Sequence, residues 1–320
     1  MKKIRYWLEE RAVLMLAWVT RTLPRHVLMS VCKVVGFIAW LADYRGRRDG
    51  VENVRLAYEG THSWWECERI VLGAYQNFAR TFADLFWVRA IPPTQWREHF
   101  DLEIHPEAQT LMDSGKGAIW VTPHYGNFEL SSIVWGFLGR SYTIVAQDFK
   151  NPALTRIFSD ARSTTGHRMI PQEGAMIRLI KVLMKGGTVA FLSDLNVKPD
   201  KAAQIIECFG RKTCVTKIHI AMARRLGVQI QPAVCRPLDD GSYQMVVFQP
   251  LTVGEDESDA SATQRVWDVF ENEIRQHPEW WMWMYKHWRY KPADADEQGI
   301  DYPAYANESW RFERVVKQNA

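Results

Sequence analysis

From residue 117 onward, short apolar runs alternate with amphipathic stretches that close on glycine, and few folds accept that rhythm. "GAIWVTP", "YTIVAQ", "TVAFLSD" and "VQIQPAVCR" have the length and β-branched content of buried strands. Between them "NFELSSIVWGFLG" reads as a helix ending at Gly139, and "NPALTRIFSDARSTTG" as a helix with Pro152 near its start. "AMIRLIKVLMKGG" and "TKIHIAMARRLG" are two more helices, each closed by glycine. "SYQMVVFQP" reads as a further strand, antiparallel at an edge. Strand–helix alternation of this kind implies an α/β fold with a mostly parallel central sheet flanked by helices. Residues 1–90 read as helical throughout, and "IPPTQW" (91–96) breaks that run.

The helical N-terminus carries most of the charge asymmetry. Residues 1–50 hold ten Lys or Arg against four acids, while the whole chain of 320 residues sums to only +3. The same segment contains the two most apolar runs, "AVLMLAWV" and "VLMSVCKVVGFIAWLA". Neither reaches the ~20 apolar residues of a confident membrane span. As a helix the second run aligns Leu28, Val31, Val35, Ile38 and Ala42 in one stripe. Basic flanks around short apolar helices fit an element lying on an anionic membrane surface, and ordinary core helices fit the pattern as well. No small-x-small cleavage site follows the first run, which argues against a cleaved leader. The positive charge sits beside apolar residues, not on a recognition helix, so nucleic acid is a poor partner. Five cysteines without a C-x-x-C pair argue for a reducing compartment and against zinc or a disulfide framework.

Ligands of parallel sheets bind outside the carboxyl ends of the strands. Three polar groups fall there: His124 after "GAIWVT", Gln147–Asp148 after "YTIVA", and Asp194 after "TVAFLS". His124 is followed five positions later by Glu129. Chance alone predicts about one His-x4-acid match in this composition, so the spacing by itself is weak. Position adds weight, because the loop "YGN" with Gly126 can fold Glu129 back toward the imidazole. A carboxylate on one ring nitrogen leaves the other as a proton acceptor. That is a base with its orienter and no protein nucleophile, which suits chemistry whose nucleophile is the substrate's own hydroxyl. No G-x-S-x-G, H-E-x-x-H or G-x-x-x-x-G-K-[ST] motif is present, nor a G-x-G-x-x-G after a strand.

"HYGNFE" after a strand resembles the His-x4-Asp/Glu block of the glycerolipid acyltransferase superfamily, and more specifically the late acyltransferases of lipid A biosynthesis. Further stretches match in order. "RGRRDGVENVRLAY" resembles the family's early R-x-x-R…N-x-x-x-A-[FY] block. "FKNPALTRIFSDAR" resembles its N-P-x-[IL] helix, whose arginine falls on Arg162. "LMKGGTVAFLSD" resembles the strand ending in Asp, here Asp194. "FGRKTCVTKIHIAMARRLG" resembles the F-G-x-x-x-x-x-T helix start. "HPEWWMWMYKHWRYKP" resembles the closing Trp-rich block, with Lys286–His287 where the family has His and Arg. After Asp194 comes "LN", which departs from lipid A enzymes, and H-x-G-N-[WF]-E also resembles members outside that pathway.

The resemblance implies an O-acyltransferase of the inner membrane's cytoplasmic face, moving an acyl chain from a thioester to a hydroxyl of a lipid A-type or related glycolipid. It implies His124 and Glu129 as the catalytic pair, and Arg162, Asp194, Asn127 and Gly126 as substrate-binding. No cofactor is implied beyond the donor, an acyl carrier protein or coenzyme A thioester. Membrane-associating helices are then expected over residues 1–45, the catalytic domain over 46–292 and a polar extension over 293–320. For the Trp-rich segment 280–288, a core role and a groove wall are both open. A lipid-binding scaffold without turnover is the reading from another class, and another membrane lipid is the alternative acceptor.

Overall fold

The computed structural model describes residues 2–146, 148–171 and 173–319. Four helices come first: α1 (Lys2–Thr22), α2 (Arg25–Ala42), α3 (Tyr44–Ala57) and α4 (Trp64–Trp87). Ser63 and Glu66 form a reciprocal capping box that starts α4. Next come β1 (Phe100–Ile104) and α5 (Pro106–Asp113), then β2 (Ala118–Thr122), α6 (Phe128–Phe137) and β3 (Tyr142–Ala146). The chain continues through α7 (Pro152–Arg162), β4 (Arg168–Pro171), α8 (Ala175–Met184) and β5 (Thr188–Leu192). A hairpin of β6 (Ala203–Cys208) and β7 (Arg211–Thr216) precedes α9 (Ile218–Leu226), β8 (Gln229–Pro237), β9 (Tyr243–Val247) and α10 (Asp259–Gln276). A last helix, α11 (Trp310–Asn319), packs Phe312 against the hairpin.

The main sheet has seven strands in the order β1-β9-β8-β2-β5-β3-β4. Every neighbouring pair is parallel except β8–β9. The expected α/β architecture is therefore present, with one adjustment. β9 is antiparallel to β8 as anticipated, yet it is not an edge strand, because β1 pairs along its other side. β1 and the β6–β7 hairpin carry charged residues on their exposed faces, as in "FDLEI", and lack the continuous apolar run that marks the buried strands. "RKTCVT", not singled out as a strand, is β7, and α9, expected from Thr216, begins at Ile218.

Each buried strand serves two cores. Ile119 and Val121 of β2 face a cluster shared with α3, α8, α9 and α10, whereas Ala118 and Trp120 face one shared with α6 and α7. Helix α6 is enclosed by the second cluster: Leu130, Ile133, Val134 and Trp135 are all fully buried. At about 1.5–3 kcal/mol per large apolar side chain, that burial anchors α6 firmly to the sheet.

α2 packs on α4 through Leu28, Cys32 and Gly36. A Cβ at Gly36 would lie 2.4 Å from the Gln76 Cα, so only glycine allows this close approach. The stripe drawn from the sequence splits: Leu28 is buried, while Val31, Val35 and Ile38 point outward with Val34, Phe37 and Leu41. α1 exposes Ile4, Trp7, Leu8, Met15 and Trp18. Each of the two helices thus exposes more large apolar side chains than isolated surface residues would give. α2 is long and apolar enough to cross a membrane by length and composition.

Candidate active site

Parallel pairing of β2 with β5 builds the site. Thr122 is in register with Leu192, so the residues two positions past each strand end, His124 and Asp194, come to lie side by side. The imidazole Nδ1 sits 2.7 Å from Asp194 Oδ1, and the His124 backbone N–H donates to Oδ2 at 2.9 Å. The same Oδ2 accepts from the Trp281 indole N–H at 2.9 Å. Burial alone would push the Asp194 carboxyl up, but the His124 ring and these two N–H donors outweigh it and hold the group below the usual carboxylate range. With Nδ1 bonded to the carboxylate, Nε2 is left as the ring's proton acceptor. Phe128 meets the ring edge-on, at 4.8 Å between centroids.

Glu129 does not occupy the place expected for it. The loop ends at Asn127, whose side chain accepts from Leu130 N–H at 3.1 Å and starts α6 at Phe128. The first turn of α6 then aims Glu129 at α7, where its two oxygens accept from Arg162 Nε at 2.9 Å and Nη2 at 2.5 Å. The carboxylate that meets the imidazole is therefore Asp194, and Glu129 instead pairs with Arg162. Arg162 is mostly buried, and its Nη1 is not used in that pair.

Gly126 and Asn127, expected at a substrate, are buried within the loop and do not line the cavity beside His124. Gly126 has φ +57°, and a Cβ there would lie 2.1 Å from the Cys235 carbonyl oxygen. Its N–H donates to Trp280 O, and its carbonyl accepts from Asn77 Nδ2 and Thr81 Oγ1. Asn127 is buried, with its backbone N–H on Cys235 O and its Nδ2 donating to Tyr243 OH. Tyr243 OH in turn donates to the buried Asp84, which Arg25 of α2 also grips. The loop carrying His124 is thus tied to β8, β9, α4 and the 280 segment at once.

His124, Glu129 and Arg162 open onto one cavity of about 610 Å³. Its mouth also has Asp148, Phe149 and Leu195; Gln147, singled out in the sequence, lies outside the described residues. Below the mouth the walls are apolar, with Phe128, Ile144, Val145, Met169, Ala190 and Phe191, and the inner end is closed by Trp120 and Tyr142. Tyr142 pairs with Thr188, four residues below Leu192, so the groove runs roughly 13 Å along the strands.

The Trp-rich segment takes the core role. Trp281, Trp283 and Trp288 are fully buried, and none of them lines the groove. Sequence reasoning did not anticipate Trp281 on Asp194, nor Asn77 and Thr81 on Gly126. The density of tryptophan at 280–288 was the only signal, and it left a core role and a groove wall both open.

Residues 1–290 match the family described as bacterial lipid A biosynthesis acyltransferase. The chain is 24% identical over 226 residues to a phosphatidylinositol mannoside acyltransferase of Mycolicibacterium smegmatis, covering 68% of this chain and 72% of that one. It is 21% identical over 294 residues to the lipid A biosynthesis palmitoleoyltransferase of Escherichia coli, covering 90% and 93% of the two chains. A phosphatidylinositol mannoside acyltransferase of Mycobacterium tuberculosis is 22% identical over 228 residues, or 68% and 70%.

Proposed function

Because the chain belongs to the bacterial lipid A biosynthesis acyltransferase family, an O-acyltransferase family, we propose that His124 activates a hydroxyl of a membrane glycolipid for attack on an acyl thioester. The observation that carries this reading is the His124–Asp194 pair at the mouth of a deep apolar groove. In the proposed step, Nε2 takes the hydroxyl proton as the oxygen bonds to the thioester carbon. The tetrahedral intermediate collapses with the thiolate leaving, and the imidazolium returns the proton to the sulfur. Asp194 holds the ring tautomer and stabilises the imidazolium as it forms. The oxyanion lies near the N-terminus of α6, where the Phe128 and Glu129 N–H groups precede the Leu130 N–H capped by Asn127 and the dipole favours negative charge. Arg162, fixed by Glu129, adds a cation at the same mouth, suited by its planar fork to a phosphate of the acceptor or donor.

The groove is the site for the acyl chain. An extended alkyl chain advances about 1.25 Å per carbon, so a 13 Å groove takes about ten methylenes. The donor is an acyl carrier protein or coenzyme A thioester, and no further cofactor enters the scheme. Asn151, which caps α7 beside the groove mouth, donates to Tyr6 O and Glu9 of α1. The exposed apolar residues Ile4, Trp7 and Leu8 are therefore near the entrance. This supports an enzyme lying on the cytoplasmic face of the inner membrane, drawing its acceptor from the lipid layer. Residues 1–45 serve that contact, 46–292 the catalysis, and 293–320 an extension. Relatives named for lipid A biosynthesis and for phosphatidylinositol mannoside acylation support an acceptor of the glycolipid class.

The test is mass spectrometry of lipids extracted from cells expressing the wild type or His124→Ala. One glycolipid class gaining an acyl chain with the wild type alone is the expected outcome, and it identifies the acceptor. Equal acylation by His124→Ala, present at wild-type level in the membrane fraction, refutes the mechanism. No change in any lipid with either protein leaves a lipid-binding scaffold as the better account.

A further inference from the structure

Resting on the reading of His124 as the base, we infer that Trp281 is a positioning residue for the acid–base pair, setting the pH range in which the imidazole works. Asp194 has no exposed side chain, and all its contacts are with donors: His124 Nδ1 on Oδ1, and the His124 N–H and Trp281 Nε1 on Oδ2. Trp281 is the one side chain besides the imidazole that is hydrogen-bonded to that carboxylate among the described residues.

Trp281 is itself fixed from two directions. Its ring stacks on His287 at 3.9 Å between centroids and meets Trp283 edge-on at 4.7 Å. Its backbone bridges Tyr125, next to His124, and the preceding carbonyl of Trp280 accepts from Gly126 N–H. One segment therefore holds both the loop that presents the imidazole and the carboxylate behind it. A slip of either would be transmitted to the other.

The electrostatic consequence has a definite sign. When His124 is protonated, its charge already neutralises Asp194, and the indole N–H adds little. When His124 is neutral, the carboxylate carries its full charge and the indole dipole is worth more. Trp281 therefore favours the neutral, proton-accepting imidazole. Removing its N–H favours the imidazolium and moves the acidic limb of the rate profile to higher pH. The other groups around the pair are the Glu129–Arg162 ion pair and Asp148 on the groove side, and His287, Tyr285 and Cys208 beneath. Burial pushes His287 down to about 4 and pushes Tyr285 and Cys208 up. These three stay neutral where an imidazole titrates, so they do not mask the shift.

The experiment is the pH dependence of kcat/KM for acyl transfer by the full chain in vesicles of the acceptor lipid, comparing wild type with Trp281→Phe. A second variant carries β-(3-benzothienyl)alanine at position 281, which keeps the bicyclic shape and replaces N–H by sulfur. It decides the matter if the smaller phenylalanine ring impairs folding. The acidic limb is expected to move up by about half to one pH unit in both, since only part of a charge-assisted hydrogen bond differs between the two imidazole states. An unmoved limb, with any loss of rate uniform across pH, overturns the inference and leaves Trp281 a packing residue. A wild-type profile without an acidic limb overturns the base reading of His124 and this inference with it.

Discussion

Asp194→Asn is expected to lower kcat by about 10²–10⁴ while the protein stays folded. Asparagine keeps the shape of the side chain and can still accept from the His124 N–H and the Trp281 indole. It cannot hold the N–H on Nδ1 as an anion does, nor neutralise the imidazolium that forms as the hydroxyl is deprotonated. The loss falls on the chemical step, so KM for the acyl donor should change little. Steady-state kinetics beside a thermal melt measures both. A kcat within threefold of wild type would remove Asp194 from the mechanism.

Glu129→Ala is expected to cost stability by about 2–4 kcal/mol, read from the midpoint of chemical denaturation. The reason is the partner left behind. Arg162 is mostly buried and bonded through Nε and Nη2 to Glu129, so truncating the acid strands a guanidinium beside Phe158. Water entering through the groove mouth keeps the cost below that of a fully enclosed charge. Removing both partners, as Glu129→Ala with Arg162→Met, should restore much of the stability and none of the activity. If Glu129 instead oriented the imidazole, the single variant would resemble Asp194→Asn in kinetics with little effect on folding.

These two carboxylates show what a sequence can and cannot convey about such a site. The strand "GAIWVTP", the break at His124 and the helix after "YGN" were legible because apolar run length, Gly126 and Asn127 each state a local preference. The family resemblance likewise rested on blocks in order along the chain. What was not legible is which acid meets the ring. Glu129 is five residues from His124 in sequence and Asp194 seventy, and only the β2–β5 register brings the distant one alongside. Strand order in a parallel sheet depends on crossovers that local spacing does not encode. Strands β1, β6 and β7 escaped for a different reason, since their exposed faces dilute the apolar signal. The stripe on α2 was visible as a pattern, but α4 and Gly36 decided which of its sides faces outward.

In this mechanism His124 and Asp194 act as one unit, and a double-mutant cycle on single-turnover acyl transfer tests that most directly. The rates to compare are those of wild type, His124→Ala, Asp194→Asn and the double variant, each in vesicles with saturating acyl donor. Groups that act together are not additive, so the double variant should be about as slow as His124→Ala alone. Losses that multiply, with the double variant slower by the product of the two single effects, would contradict the pairing and return the question of His124's partner to Glu129.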